Sequence, residues 1–252
     1  MRRRFAVAIL AAIPFALAAG HAVAADIKVL AAGAVEEPFK HQAADFARES
    51  GHKVDASFGS VGALQAKLKG GEKPDVIVLS AAAMDELDKA GSLVAGSRAE
   101  LGRAVAGLAV KAGAPQPDIS TPDAFKKTLL SARMVAYTDP AAGGTTGIYL
   151  TGLLQRLGIT EDIKKKALMQ GGGSAVAAAV ANGSAEVGIT FISELIPNKG
   201  VKVVGPIPQP IGLIVAYIAA VATTSTQAEP ARALIAYVTR PAAHDSFKEA
   251  GL

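Results

Sequence analysis

The stretch "DVIVLS" at residues 75–80 decides how the chain folds. Four apolar residues, Val76 to Leu79, follow one another without alternation. A strand facing water on one side alternates apolar with polar; an unbroken apolar run belongs in a parallel sheet covered on both faces. The neighbours supply the cover. "IKVLAAG" (27–33) is a second apolar, β-branched run ending in glycine. "PFKHQAADFARES" (38–50) follows, with Phe39, Ala43, Phe46 and Ala47 at helical spacing and Gly51 as the stop. "KVDASFG" (53–59) alternates as a strand. "VGALQAKLKGG" (61–71) reads as a short helix closed by Gly70-Gly71, and "AAMDELDKAGSL" (82–93) as another. The order is β-α-β-α-β-α, which predicts a parallel sheet with helices on both sides.

Beyond residue 100 the pattern shifts. "GRAVAGLAVKAG" (102–113) reads as a long strand and "APQPDISTP" (114–122) as a turn-rich connection. Ser120 or Thr121 is positioned to cap the helix "PDAFKKTLLSA" (122–132), with Pro122 in its first turn. "MVAYTD" (134–139), "VGITFIS" (187–193), "VKVVGPIP" (201–208) and "LIVAYIAAVA" (213–222) read as strands. "GIYLTGLLQRLG" (147–158) and "SAVAAAVANG" (174–183) read as helices, and "PARALIAYVTRPAAHDSFKEAGL" (230–252) as a helix, a proline break and a second helix. The expected architecture is α/β, with two lobes joined by two crossover strands near 105 and 215. Residues 25–104 with 213–252 would form lobe 1, and 105–212 lobe 2. In open α/β sheets a ligand sits beyond the carboxyl ends of the strands, so two facing sheets place it in the cleft between them.

The first residues read as an export leader rather than as fold. Arg2-Arg3-Arg4 precede an apolar run from Phe5 to Ala19, and Ala22-Val23-Ala24 has the A-x-A cleavage pattern, so residues 1–24 would be removed and the protein would be periplasmic. The chain carries 26 Lys+Arg and 22 Asp+Glu. Three of the arginines lie in the leader, leaving 23 basic against 22 acidic side chains, a net +1. No basic tract with interleaved aromatics survives, which excludes nucleic acid as a partner. Lys164-Lys165-Lys166 reads as a solvated helix face. Cysteine is absent, so the core must hold the fold without disulfides, and thiol chemistry is excluded. His41, His52 and His244 have no metal-ligand spacing, so neither a metal nor a cofactor is expected. The protein is expected to be a monomer.

The strand ends name the candidate site. They place Gly33 and Ala34, Ser60 and Val61, and Ser80 in lobe 1. In lobe 2 they place Thr145, Thr146 and Gly147 in "GGTTG", Gly173 and Ser174 in "QGGGS" (170–174), and Phe191, Ser193 and Glu194 after a further strand. Most of these are small or hydroxylated residues just before a helix. The first amides of a helix lack intrahelical partners and sit at the positive end of its dipole, and glycine lets an anion approach them. Several such starts facing one cleft would bind a small anion without an arginine. Each loop alone also reads as ordinary capping and turn geometry. Glu194 is the acid nearest the expected cleft, readable as a helix-start partner or an acid/base. Glu36-Glu37 suit a helix start. Tyr149 reads as core, and Asp75 and Asp139 as strand-end caps. "GGTTG" is not a phosphate-binding Walker loop, since no Gly-Lys-Ser/Thr follows.

"IKVLAAGAVEEPFK", "SFGSVGALQAKLKGGEKPDVIVLS", "DPAAGGTTGIYLTGLLQRLG" and "GPIP…ARALIAYVTRPAAHDSFKEAGL" together resemble the periplasmic molybdate-binding proteins of ABC importers. The resemblance covers essentially all of the mature chain and implies the type II periplasmic-binding fold. It further implies hinge closure over a small anionic ligand and an ABC permease as partner. In that family serine hydroxyls from the first two loops and a tyrosine in lobe 2 contact the oxyanion. Here Ala34, Val61 and Phe191 stand at those positions, with Ser60 one residue out of register. "VKAGAPQPDIST" (110–121), "ISELIP" (192–197) and "VVGPIP" (203–208) are similar to a divergent branch that includes exported aconitate isomerases. The leading expectation is therefore a solute-binding protein for an oxyanion or, from the altered positions, a carboxylate. The alternative is an isomerase moving an allylic proton, with Glu194 as its base and Thr145, Thr146 and Ser174 as donors.

Overall fold

The structure, a computed structural model, describes residues 24–252, so the leader reading, apart from Ala24, lies outside the described residues. Strands β1 (Asp26–Ala32), β2 (Lys53–Gly59) and β3 (Val76–Ser80) run parallel in the order β2-β1-β3. Helices α1 (Glu36–Ser50), α2 (Val61–Lys69) and α3 (Ala81–Lys89) connect them, α1 entered through a short 3-10 turn at Gly33–Val35. All five β3 residues are buried, as the unbroken apolar run requires. Phe39 and Phe46 turn the inner face of α1 into this core, and Gly51 ends the helix at φ 75°. Completely burying a side chain such as Phe39 contributes about 1.5–3 kcal/mol.

Strand β4 (Ala99–Lys111) belongs to both sheets. Its first half pairs antiparallel with β9 (Ile214–Val221), which continues onto β3. Its second half pairs with β7 (Val187–Phe191) and, on its other side, with β8 (Val201–Pro206). Strand β5 (Val135–Thr138) lies parallel to β7 and to β6 (Ala167–Gln170). The helices of this half are α4 (Pro122–Ser131), α5 (Thr145–Leu157), α6 (Thr160–Lys164), α7 (Gly173–Ala181) and α8 (Ile192–Leu195). The chain ends in α9 (Ala228–Val238) and α10 (Pro241–Glu249). Helix α9 returns to the first sheet, where Tyr237 meets Phe46 edge-on at 5.4 Å.

Several local readings change. Of the two candidate caps for α4, Thr121 serves: its hydroxyl accepts the Ala124 amide at 3.1 Å. The lysine run is not one solvated face. Lys164 pairs with Glu161 at 2.9 Å, whereas the Lys166 ammonium donates to the carbonyls of Leu130 and Ala132 at 2.6 and 2.7 Å, satisfying the end of α4. The edge strand β6 went unread, because four residues are too few for a period to show, and the one-turn helices α6 and α8 showed only as a lysine helix face and a helix-start acid.

Candidate functional site

The carboxyl ends of β1, β2, β5 and β7 face one another across a cavity of about 250 Å³. The two sides meet at its lip. The Ser60 hydroxyl donates to the Ala142 carbonyl at 2.9 Å, and the Gly62 amide donates to the Gly143 carbonyl at 3.2 Å. Gly33, Ala34, Ser60 and Val61 line the cavity from one side, and Thr145, Thr146, Gly173, Ser174, Phe191 and Glu194 from the other.

Three expected residues stand outside it, of which Ser193 is buried in α8. Ser80 is buried at the end of β3, opposite Tyr217 in the antiparallel pairing with β9. Gly147 packs against β5: its amide donates to the Thr138 hydroxyl at 2.8 Å, and a Cβ there would run into the Thr138 carbonyl. The two glycines before it also have structural reasons. Gly143 takes φ 70° and touches Gly62, and a Cβ on Gly144 would stand 2.6 Å from the Thr138 hydroxyl. The glycines of "GGTTG" therefore set the packing of α5 on β5, and Thr145 is its half-buried residue on the cavity wall. Thr146, although it reaches the cavity edge, is committed to a buried hydroxyl chain, 2.9 Å from Thr138 and 3.4 Å from Thr190. Thr146→Val is expected to cost about 1 kcal/mol in urea denaturation, because it leaves its partners short of a hydrogen bond. Thr145→Val should leave stability alone and weaken ligand binding. Equal stability loss in both variants would place Thr145 in the core rather than on the wall.

Glu194 occupies the junction. It starts α8, where its carboxylate accepts the Thr190 hydroxyl at 2.5 Å and the Phe191 amide at 3.3 Å. The helix-start reading is thus correct, but it does not exhaust the residue. A Cβ on Gly33, across the cleft, would lie 3.1 Å from its Oε1, and one on Gly173 only 2.5 Å. Protein encloses the carboxyl, and it lines both the cavity and an adjoining second cavity. Burial pushes the carboxyl above the ordinary carboxylate range. The Thr190 hydroxyl and the amides of Phe191 and Gly173 pull it down, and Glu36 adds to the rise.

Wall residues not anticipated as site residues include Tyr217, Phe58 and Glu36. Tyr217 on β9 is buried against Phe191, ring to ring at 5.9 Å and near perpendicular. Burial raises its phenol, the nearby Glu194 raises it further, and the Thr145 side chain opposes. Its signal was a single polar aromatic inside "LIVAYIAAVA". Phe58, at the end of β2, forms part of the floor. Glu36, read as a helix-start acid, also lines the cavity, paired at 2.5 Å with Lys40 one turn along α1. Tyr149, read as core, is half-buried, and its hydroxyl donates to the Ile211 carbonyl. Asp75 and Asp139 cap as expected, accepting the Lys28 amide at 2.9 Å and the Ala141 amide at 2.8 Å.

The cavity wall contains two carboxyls, a phenol, five hydroxyls and the first turns of α5 and α7, but neither lysine nor arginine. Such a wall offers neutral donors to an anion and a titratable group to whatever it holds.

A family model described as bacterial extracellular solute-binding protein matches residues 27–252. Aconitate isomerase of Pseudomonas sp is 34% identical over 232 residues, covering 90% of this chain and 87% of that protein. The molybdate-binding protein ModA of Azotobacter vinelandii is 30% identical over 238 residues, covering 91% and 90%. Among solved structures, the Azotobacter vinelandii periplasmic molybdate-binding protein superposes with a TM-score of 0.71 at 21% identity, covering 89% of this chain and 97% of that one. The sulfate-binding protein SubI from Mycobacterium tuberculosis H37Rv gives 0.70 at 21%, covering 90% and 86%. The resemblance drawn from sequence and the two-lobed fold both stand on these matches.

Proposed function

We propose, for a chain that belongs to the bacterial extracellular solute-binding proteins, that the cleft closes on a small unsaturated carboxylate and moves an allylic proton along it, as in the interconversion of cis- and trans-aconitate. The observation that carries this reading is Glu194. A site that only holds an anion gains nothing from an enclosed carboxyl on its wall, because an ionised carboxylate would repel the ligand and a buried charge without a cation is costly. A site that moves a proton needs such a group, raised above the ordinary carboxylate range so that it can give a proton as well as take one. Removing a proton from a methylene between a carboxylate and an alkene leaves a delocalised, dienolate-like anion. Returning it at the far end of the allyl system shifts the double bond. The Tyr217 phenol, kept neutral by burial, and the Thr145 and Ser174 hydroxyls supply donors for the developing charge. The first turns of α5 and α7 supply partial positive charge in place of a cation. The 34% identity to an aconitate isomerase supports this reading.

The second reading is a passenger site, in which the protein is exported to the periplasm, binds a small anion and delivers it to an ABC permease. The match to molybdate-binding proteins favours it. Ala34, Val61 and Phe191 carry no hydroxyl to the cavity, so molybdate is expected to bind weakly under this reading too; sub-micromolar affinity by calorimetry would restore it as the ligand.

The test is turnover of trans-aconitate followed by proton NMR, in wild type and in Glu194→Gln. The variant should lose about 100-fold or more in kcat while still binding trans-aconitate, since acid–base groups contribute about 10²–10⁴. It should also be less sensitive to alkali. A carboxyl raised in the fold leaves the folded chain holding more protons than the unfolded one between the ordinary value of 4.5 and the folded value. Its favourable state is complete below 4.5, and stability drains away as pH rises through the folded value. Glu194→Gln should flatten that loss in urea denaturation. Wild-type turnover in the variant would remove Glu194 from the chemistry.

A further inference from the structure

Glu194 faces two cavities, and Glu36 faces the same two. The second, about 480 Å³, adjoins the ligand cleft, and it is lined by Gly33, Ser174, Ser193 and Lys199 as well as by the two acids. Ser193 is 4% exposed, and its hydroxyl has no hydrogen-bond partner in the protein. A buried hydroxyl left unpaired on the wall of a polar cavity is a place for water. The two carboxyls differ in their surroundings. Glu194 is enclosed and has hydroxyl and amide partners but no cation. Glu36 sits at the open start of α1 with the Lys40 ammonium at 2.5 Å.

We propose that Glu36 is a second catalytic residue, the base that takes the allylic proton while Glu194 delivers one, and that the second cavity returns the proton between turnovers. This rests on the isomerase reading. In the forward step the C–H bond of the substrate methylene breaks, its electron pair enters the allyl system, and the proton forms an O–H bond on the Glu36 carboxylate. A new C–H bond forms at the far allylic carbon with the proton from the Glu194 carboxyl, which is left as carboxylate. The substrate keeps its composition, and one proton has moved from Glu194 to Glu36. Water in the second cavity, reached by both acids, carries it back. Two carboxyls in unlike surroundings divide the roles of acid and base in this way. A single base would instead carry the same proton from one carbon to the other.

The experiment is isomerisation of trans-aconitate in D2O, read by proton NMR at initial rate, with wild type and Glu36→Gln. Wild type is expected to place one solvent deuteron in each product molecule. Glu36→Gln is expected to lose about 100-fold or more in kcat, with trans-aconitate affinity by calorimetry within a few-fold of wild type. Glu36 is partly exposed and its ion pair with Lys40 lies on the helix surface, so the variant should fold normally. Product that carries no solvent deuteron, or wild-type turnover in Glu36→Gln, overturns the two-acid assignment and leaves the isomerase reading intact. No turnover in wild type overturns both.

Discussion

Gly173→Ala should fold and yet lose about 100-fold in kcat, the largest effect expected of any single methyl group in this protein. A Cβ at Gly173 would stand 2.5 Å from Oε1 of Glu194 and closer still to the rest of the carboxyl. The carboxyl has little room to retreat. Thr190 holds it at 2.5 Å and the Phe191 amide at 3.3 Å on its own side, and Gly33 closes the other. Either α7 lifts off β7 or the carboxyl swings out of its hydrogen bonds. Overpacking of this kind costs about 1–3 kcal/mol, and a shift of about 1 Å at a reacting group costs about 10²-fold in rate. Gly172→Ala is the control, because nothing lies within 4 Å of a Cβ there. Urea denaturation and aconitate turnover on both variants settle the matter. Gly173→Ala with kcat within threefold of wild type would show that Glu194 does not act from this position.

Gly62→Val is expected to keep the cleft from shutting. Gly62 and Gly143 meet at the lip with no side chain between them, and a Cβ on Gly62 would lie 2.5 Å from the Gly143 Cα and 3.1 Å from the Ala142 carbonyl. Both contacts are with main chain, which cannot turn aside as a side chain can. Relief requires the lobes to part, which also breaks the Ser60 to Ala142 hydrogen bond. Apparent affinity scales with the fraction of molecules that can close, so trans-aconitate binding should weaken by roughly tenfold or more. Small-angle scattering with trans-aconitate present should give a larger radius of gyration than wild type. Unchanged scattering and affinity would mean that the lip is flexible enough to absorb the added bulk.

Much of the fold was legible because its signals are long. The apolar run at 75–80 and the helical spacing at 38–50 each fix an element and its buried face, and both hold in the structure. The antiparallel return of β9 between β3 and β4 was not legible, since no local pattern says which neighbour a strand will choose. The site divided along the same line. Strand ends found Gly33, Thr145, Gly173 and Glu194, because position in a βα unit follows from sequence order. They also offered Ser80 and Gly147, which stand away from the cavity, because sequence order does not say which way a hydroxyl or an amide turns. Tyr217 and Glu36 went unread as site residues because each has a bland local explanation, an apolar strand and a helix start. Only the three-dimensional convergence of β9 and α1 on one wall gives them another.

The seam at the lip has a consequence for salt. It is made of a hydroxyl, an amide and two carbonyls. The ion pairs among the described residues each join groups on the same side of the cleft, such as Lys40 with Glu36, Arg98 with Asp85 and Arg133 with Glu186. Mobile ions screen exposed charge pairs over a distance of about 10 Å at 0.1 M and leave short neutral hydrogen bonds largely untouched. Closure of this protein should therefore proceed alike in dilute and in concentrated electrolyte, so that capture responds to the ligand's own concentration rather than to the ionic weather outside.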